Sequence, residues 1–381
     1  MQELYIGLMS GTSIDSIDAV LCTFNDNGKS EIIESTSVDY DKDTKALLHS
    51  LCQSSYDEIE KLGVAKVKLA TFEAQAVNEL LLKAKVEKED IVAIGSHGQT
   101  IRHRPEKGFS IQLDDGALLA ALTGIDVICD FRSADIAHGG NGAPLTQAFH
   151  KMQFQDPTKV SFVLNLGGIA NLTVIDCQGK ILQAYDVGPA NTLLDTVCRM
   201  IFNKNYDKDG ELSKKGQVNS KLLSDYMSCD YLKLPPPKST GRETFNADFI
   251  KEELLIATTH PEFAYDLMAT LAEFTALSCV NAVRGAIFKF KIDKSRLIVC
   301  GGGAYNPVIM GKLSEALAKN NVETYIADDL GVNSKLIEAH AFAYFAYKFV
   351  KREPLDLACS TNARENSILG CLYPKTPSLK A

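Results

Sequence analysis

Two glycine-rich segments of this chain read as two copies of one device. Residues 4–20 run LYIGLMSGTSIDSIDAV, and residues 160–174 run VSFVLNLGGIANLTV. In each, an apolar run rich in branched residues meets a tight Gly/Ser/Thr or Gly/Asn turn and then a second apolar run, the pattern of a β-hairpin. Tips of this composition offer backbone N–H groups and hydroxyls to an anion, with no side chain in the way. Copies at the heads of successive half-chains predict a duplicated α/β fold of two lobes, with a phosphate held in a central cleft.

At 381 residues the chain is too long for one compact core and suits two domains. Hydrophobic residues at 45% and charged residues at 23% place it among ordinary globular proteins. The net charge of −8 argues against a sequence-independent grip on nucleic acid, which needs a basic surface. No apolar run approaches the roughly 20 residues of a membrane span, so none is expected. The first residues lack the basic and apolar regions of a signal peptide. The ten cysteines form no CxxC pair, and Cys22, Cys129 and Cys300 sit in strand-like runs. They are expected to be buried, reduced thiols of a cytoplasmic protein. The seven histidines show no zinc-ligand spacing.

The first hairpin leads to a third extended run at 31–38. Val67, Ala70, Ala74, Val77 and Leu81 recur at helical spacing and predict a helix over 64–86. Buried strands follow at 90–100 and 125–131, separated by a short helix at 116–122. The polar loop DFRSADIAHGGNGAPL comes next. This is the order of a sheet with helices in its crossovers. The second half repeats it: hairpin, strand 181–187, helix 192–202. The polar, turn-rich stretch 203–245 contains PPPKSTGRETF and reads as an active-site flap, not a core element. Pro261 suits the first turn of a long helix reaching about 285. A strand LIVCGGG ends in three glycines, Ser334 is placed to cap a helix running to about 351, and SILGCLYP reads as a final strand. The lobes are expected at 1–157, completed by 353–381, and at 158–352.

With these segments laid out, the chain resembles the sugar kinase–actin–chaperone ATPase superfamily. Within it, the blocks MSGTSIDSID, SHGQTIRHRP, DFRSADIAHGGNGAPL, LNLGGIANLT, DVGPANTLLD, PPPKSTGRE, CGGGAYNP and EAHAFAYFA resemble those of the 1,6-anhydro-N-acetylmuramic acid kinase family. They occur in the family's order from Gly7 to Tyr373. The resemblance implies a two-lobed actin-like, ribonuclease H-like ATPase fold of duplicated mixed sheets with flanking helices. It further implies use of ATP and Mg²⁺, and an enzyme of cell-wall recycling. Such an enzyme takes the anhydro sugar, ATP and water to N-acetylmuramic acid 6-phosphate and ADP. Three positions depart from the family's habit. Ser16 stands where glycine is usual, Lys335 where an acidic residue is common, and Asn362 where glycine is common; Asn362 tolerates a left-handed turn nearly as well.

Read with the resemblance, Asp186 in AYDVGPAN is the expected catalytic base, at a strand end where open α/β sheets place reactive groups. Capping the following helix is the bland alternative. Glu338, in the first turn of a helix, is expected to contact the sugar as well as answer the helix dipole. Arg132 offers a planar fork to a carboxylate or phosphate, or else an ion pair to Asp135. His97 is a candidate sugar contact, or a structural hydrogen-bonder. Ser10, Gly11, Thr12, Ser13 and Ser16 would line the phosphates in the first hairpin, with Asp15 and Asp18 holding Mg²⁺ through water. Gly167, Gly168 and Asn171 form the expected second clasp. Gly301, Gly302 and Gly303 form the expected adenosine platform, unless they are a close-packing corner. Lys238, Ser239 and Arg242 of the flap could close over substrate.

Two other readings compete. An ordinary hexose or amino-sugar kinase on this fold would use an Asp to deprotonate a free hydroxyl. A non-catalytic actin-like ATP-binding protein would have less need of two polar loop systems. The expected partners are small molecules, with neither nucleic acid nor membrane, and a second copy of the chain is left open.

Overall fold

The computed structural model describes residues 3–11, 14–25, 29–236, 238–241 and 244–376. Two compact units make up the chain: Met1–Gln153 with Leu336–Ala381, and Phe154–Lys335.

The first unit holds strands β1 (Leu4–Ser10), β2 (Ser16–Phe24), β3 (Ser30–Asp39), β4 (Ile91–Ser96), β5 (Gln99–Arg104), β6 (Phe109–Leu113) and β7 (Val127–Cys129). Its main sheet runs β7–β4–β1–β2–β3, with the strand Cys371–Tyr373 beside β7. β1, β2 and β3 form an antiparallel meander, while β1, β4 and β7 are parallel. β5 and β6 make a separate hairpin. The second unit holds β8 (Val160–Leu166), β9 (Ile169–Ile175), β10 (Ile181–Pro189), β11 (Ser295–Cys300) and β12 (Val322–Ile326), in the order β10–β9–β8–β11–β12. Again the first three are antiparallel and the last two run parallel to β8. β8 to β12 thus repeat β1, β2, β3, β4 and β7. The duplication expected from the two hairpins is present strand for strand.

Each sheet is covered by helices whose apolar faces fill one core. Helix Glu58–Ala84 lays Ala65, Leu69, Ala76, Val77 and Leu80 under the first sheet. Val67, expected on that stripe, is 52% exposed. Helix Ile337–Val350 crosses the other side of β1 and β4. There it approaches so closely that a Cβ on Gly7 would lie 1.9 Å from the Ala339 carbonyl oxygen, and one on Gly95 2.1 Å from that of Phe342. This helix belongs to the first unit, whereas the expected lobe boundary gave it to the second. Its first turn has no side-chain cap: the N-cap position is Leu336, and Ser334, expected there, donates its hydroxyl to Asp328.

Helix Pro261–Phe290 is long and apolar enough, by length and composition, to cross a membrane, which the sequence had not led us to expect. Its apolar residues lie in the core of the second unit. The 203–245 stretch also departs from expectation. Leu212, Tyr226 and Phe245 enter that core, and residues 220–227 are helical. Only part of the stretch behaves as a loop.

Candidate active site

The turn of the first hairpin is held under strain. Ile14 takes φ of 58°, a region that β-branched residues rarely occupy, and it is pinned there by burial of its side chain at 2% exposure. Gly11 closes the turn by accepting a hydrogen bond from the Ile14 amide. Ser10 is buried, its hydroxyl donating to Gln99 Oε1 (2.5 Å) and accepting from Tyr40 (2.7 Å). Ser16 opens β2 opposite Asp39. Asp15 is exposed and takes a contact from Lys45 Nζ at 3.3 Å. Asp18 lies opposite Met9 and near enough to Glu338 and Tyr40 for its charge to act on both. Thr12 and Ser13 lie outside the described residues, as does Arg242 of the flap.

Around the end of β4, polar side chains are joined to one another. Glu73, buried on its helix, accepts from the Ser96 hydroxyl at 2.6 Å; Ser96 in turn accepts from the Gly98 amide. Burial pushes the Glu73 carboxyl up to about 8, so it is mostly protonated at neutral pH. His97 Nδ1 donates to the Gly98 carbonyl at 2.9 Å, which leaves Nε2 as the acceptor for Arg132 Nη2 at 2.8 Å. Burial and the adjacent guanidinium hold His97 down near 3, hence neutral. Arg132 also donates through Nη1 to the Gly142 carbonyl at 2.7 Å, while its buried Nε has no partner. Burial lowers its pKa to about 10, which leaves it charged. Asp135 does not pair with it directly in the contacts described: its two oxygens accept from Thr361 and from the Gly142 amide.

Glu338 keeps surface open to solvent although protein surrounds it on most sides. Desolvation by that surrounding mass raises its carboxyl above the usual glutamate range, with Asp18 adding and Arg132 opposing. His97, Arg132, Glu338 and Asp18 thus form one electrostatic group.

In the second unit, Asp186 sits on β10, the edge strand, opposite Asn171 of β9, and the register slips between Asp186 and Gly188. Among the described residues, flap groups grip it as follows. Thr240 N donates to the carboxylate at 3.1 Å, the Asp186 amide donates to the Lys238 carbonyl at 3.2 Å, and the Tyr231 hydroxyl donates to the Asp186 carbonyl at 2.6 Å. Asn171 Oδ1 is buried with no partner.

The carbonyls of Gly167 and Gly168 accept amides of residues 190–192, where the helix Thr192–Phe202 begins. Neither glycine is crowded, the nearest atoms to an added Cβ being 3.8 Å and 3.9 Å away. The three glycines after β11 divide by duty. Gly301 has φ of 80°, and a Cβ there would meet Asn165 Oδ1 at 2.4 Å; one on Gly303 would meet Leu166 at 2.6 Å. These two serve close packing. Gly302 is open and lines a cavity of about 550 Å³ together with Asn191, Asp195, Tyr206, Tyr305 and Lys335. Lys335 Nζ lies 5.1 Å from the centre of the Tyr305 ring.

Sequence reasoning missed Glu73, Gln99, Tyr231 and Tyr206. Tyr305 lay inside the quoted CGGGAYNP block, a signal that was there to be used. For possible metal binding, no group of three or more His, Cys, Asp or Glu side chains is found among the described residues. Among the described residues of the first hairpin, Asp15 and Asp18 carry carboxylates, and Glu338 lies near Asp18.

A family model described as anhydro-N-acetylmuramic acid kinase matches residues 3–375. A Burkholderia lata protein of that name is 41% identical over 375 residues, covering 98% of this chain and 96% of its own length. One from Pseudomonas syringae pv. syringae is 40% identical over 375 residues, covering 98% and 100%. Among solved structures, the activator of the 2-hydroxyisocaproyl-CoA dehydratase from Clostridium difficile with bound ADPNP is similar at 15% identity. It has a TM-score of 0.47 and covers 92% of this chain and 96% of that one.

Proposed function

This chain belongs to the anhydro-N-acetylmuramic acid kinase family, and from that membership we propose that Asp186 is its catalytic base. The enzyme opens the 1,6-anhydro bridge of 1,6-anhydro-N-acetylmuramic acid and phosphorylates O6, giving N-acetylmuramic acid 6-phosphate and ADP. Asp186 takes a proton from water, and the water oxygen bonds to C1 as the C1–O6 bond breaks, as in an inverting glycosidase. O6 leaves with the electron pair and attacks the γ-phosphorus, whose bond to the β-bridging oxygen then breaks. One carboxylate suffices because O6 has no proton to lose. The observation that carries this role is the grip on Asp186. Near the end of β10, the Thr240 amide fixes the carboxylate, and the flap backbone fixes the residue that carries it.

Arg132 would receive the lactyl carboxylate of the sugar. Two of its five N–H donors are engaged by Gly142 and His97, and the rest, including the unpartnered Nε, form an edge suited to two oxygens. His97 is then a positioning residue for Arg132, since both its nitrogens are already engaged. Glu338 would meet sugar hydroxyls. In the second unit, the carbonyls of Gly167 and Gly168 are tied to residues 190–192, so the turn's amide edge is what remains for phosphate. The cavity at Gly302 would take adenosine, with Tyr305 and Tyr206 as stacking faces.

A pair of hairpin carboxylates suits Mg²⁺, which keeps several waters and leans on substrate phosphates. Asp18 and Asp15 would hold it through water, the exposed Asp15–Lys45 contact being weak enough to give way. When bound, the ion neutralises charge on the phosphates. The test of the base is Asp186→Asn. Turnover should fall by a factor on the order of a hundred or more while ATP affinity stays within about twofold. Retained turnover would remove Asp186 from the role.

A further inference from the structure

A second cleft, of about 360 Å³, lies on the other side of β10. Alternation along the strand points Gln183, Tyr185 and Val187 into it. Its far wall is one face of helix Pro261–Phe290, in which small residues keep the groove open. An added Cβ on Gly285 would meet nothing within 4 Å.

The charge of this cleft is one-sided. Lys233, Lys238 and Lys289 line it, and none of its described lining residues is an Asp or Glu, in a chain whose net charge is −8. Lys233 meets Asp230 at 2.9 Å, but on the open surface where such a pair contributes little. Lys289 reaches the neutral Gln183 side chain at 3.2 Å. Lys238 is half-buried, and desolvation lowers its pKa. Its ammonium donates to the Tyr231 carbonyl at 2.9 Å and lies 4.4 Å from the centre of the Tyr231 ring. An ammonium has three donors, so Lys238 keeps capacity for an anion. Tyr185, Val187, Met227 and Leu232 supply an apolar floor, which favours an organic anion over a bare inorganic one.

Lys238 also belongs to the clamp on Asp186. Its carbonyl accepts from the Asp186 amide, and Tyr231, whose carbonyl it binds, holds the Asp186 carbonyl. A ligand that draws the Lys238 ammonium away therefore disturbs two of the described contacts that fix Asp186. We propose that this cleft is a regulatory site for a small amphipathic carboxylate, its charge met by Lys238 with Lys289 and Lys233 at the rim. Its body lies along the Gly285 face, and its binding lowers turnover. One charge is specified because Lys238 alone among the three lysines is half-buried. The effect on turnover rests on the assignment of Asp186 as base; the binding does not.

The test is calorimetric titration of the full-length enzyme with 4-phenylbutyrate, its neutral analogue 4-phenylbutan-1-ol, and inorganic phosphate. The carboxylate should bind about tenfold or more tightly than the alcohol, the scale of one charge-assisted contact, and phosphate alone should give no heat. Gly285→Leu, which fills the groove, should abolish binding, and Lys289→Gln should weaken it, both with normal basal turnover. Saturating carboxylate should lower turnover several-fold in the native enzyme and leave Gly285→Leu unaffected. Equal binding of the alcohol, binding that survives Gly285→Leu, or binding without a change in turnover would each overturn the proposal. Asp186→Asn separates the two claims. If it keeps turnover, the base assignment fails, whereas its titration with 4-phenylbutyrate should match that of the native enzyme.

Discussion

The hairpins β1–β2 and β8–β9 occupy the same place in two copies of one sheet, yet their surroundings are opposite. Strand β1 of the first is tightly packed. Helix Ile337–Val350 presses on Gly7 and Gly95, and Ser10 is held by Gln99 and Tyr40. Close by, Glu73, Ser96, His97 and Arg132 hold one another. The second is open: Gly167 and Gly168 have free space around them, and Asp186, across from Asn171, is held by backbone groups and the Tyr231 hydroxyl of a flap. Duplicated topology therefore does not duplicate the site. What packs against the strand ends decides whether a hairpin presents a network of side chains or an edge of amides.

That contrast can be broken at the glycines. Gly7→Ala should destabilise the protein by about 1–3 kcal/mol or more, because its Cβ would strike helix backbone that cannot rotate aside. Gly167→Ala has room, so its stability should stay within about 0.5 kcal/mol of native while the KM for ATP rises. Denaturant unfolding of both variants, beside ATP kinetics of the second, checks this. Equal stability losses would mean that the two hairpins are packed alike after all.

A smaller effect sharpens the account of the packed side. The Glu73 carboxyl is raised from 4.5 to about 8 by burial. Below 4.5 both folded and unfolded states are protonated and the stability is fully present. As pH rises toward 8 the unfolded chain ionises while the folded one does not, so stability falls by an amount on the order of a few kcal/mol. Asp114, raised to about 6 by desolvation, adds a loss of the same sign. His97, His150 and His340, each held near 3 by burial, act oppositely and cost stability as pH falls below 6.5. Glu73→Gln should flatten the fall in stability between about pH 5 and about pH 8, as read from unfolding midpoints. An unchanged fall over that range would show that Glu73 is not a buried, protonated acid.

Much of the frame was legible in the chain, for reasons that differ by element. The hairpins announced themselves through apolar runs broken by glycine turns, and the helix Thr192–Phe202 through its stripe. The hairpin β5–β6 was missed because QTIRHR and FSIQL are polar strands with little buried face. Helix Ile337–Val350 is apolar nearly all round, so no stripe told which unit it would cover. The 203–245 stretch looked like a loop because its core residues, Leu212, Tyr226 and Phe245, are widely spaced among polar ones. Asp186, Arg132 and Glu338 could be named from motifs. Glu73 and Tyr231 could not, since their importance lies in contacts with residues 23 and 45 positions away.

The central claim, that water activated by Asp186 attacks C1 while O6 keeps its own oxygen, is tested most directly by turnover in ¹⁸O-water with prompt product analysis. The account predicts label in the C1 hydroxyl and none in the O6–phosphate linkage. Label at O6, with C1 unlabelled, would contradict it.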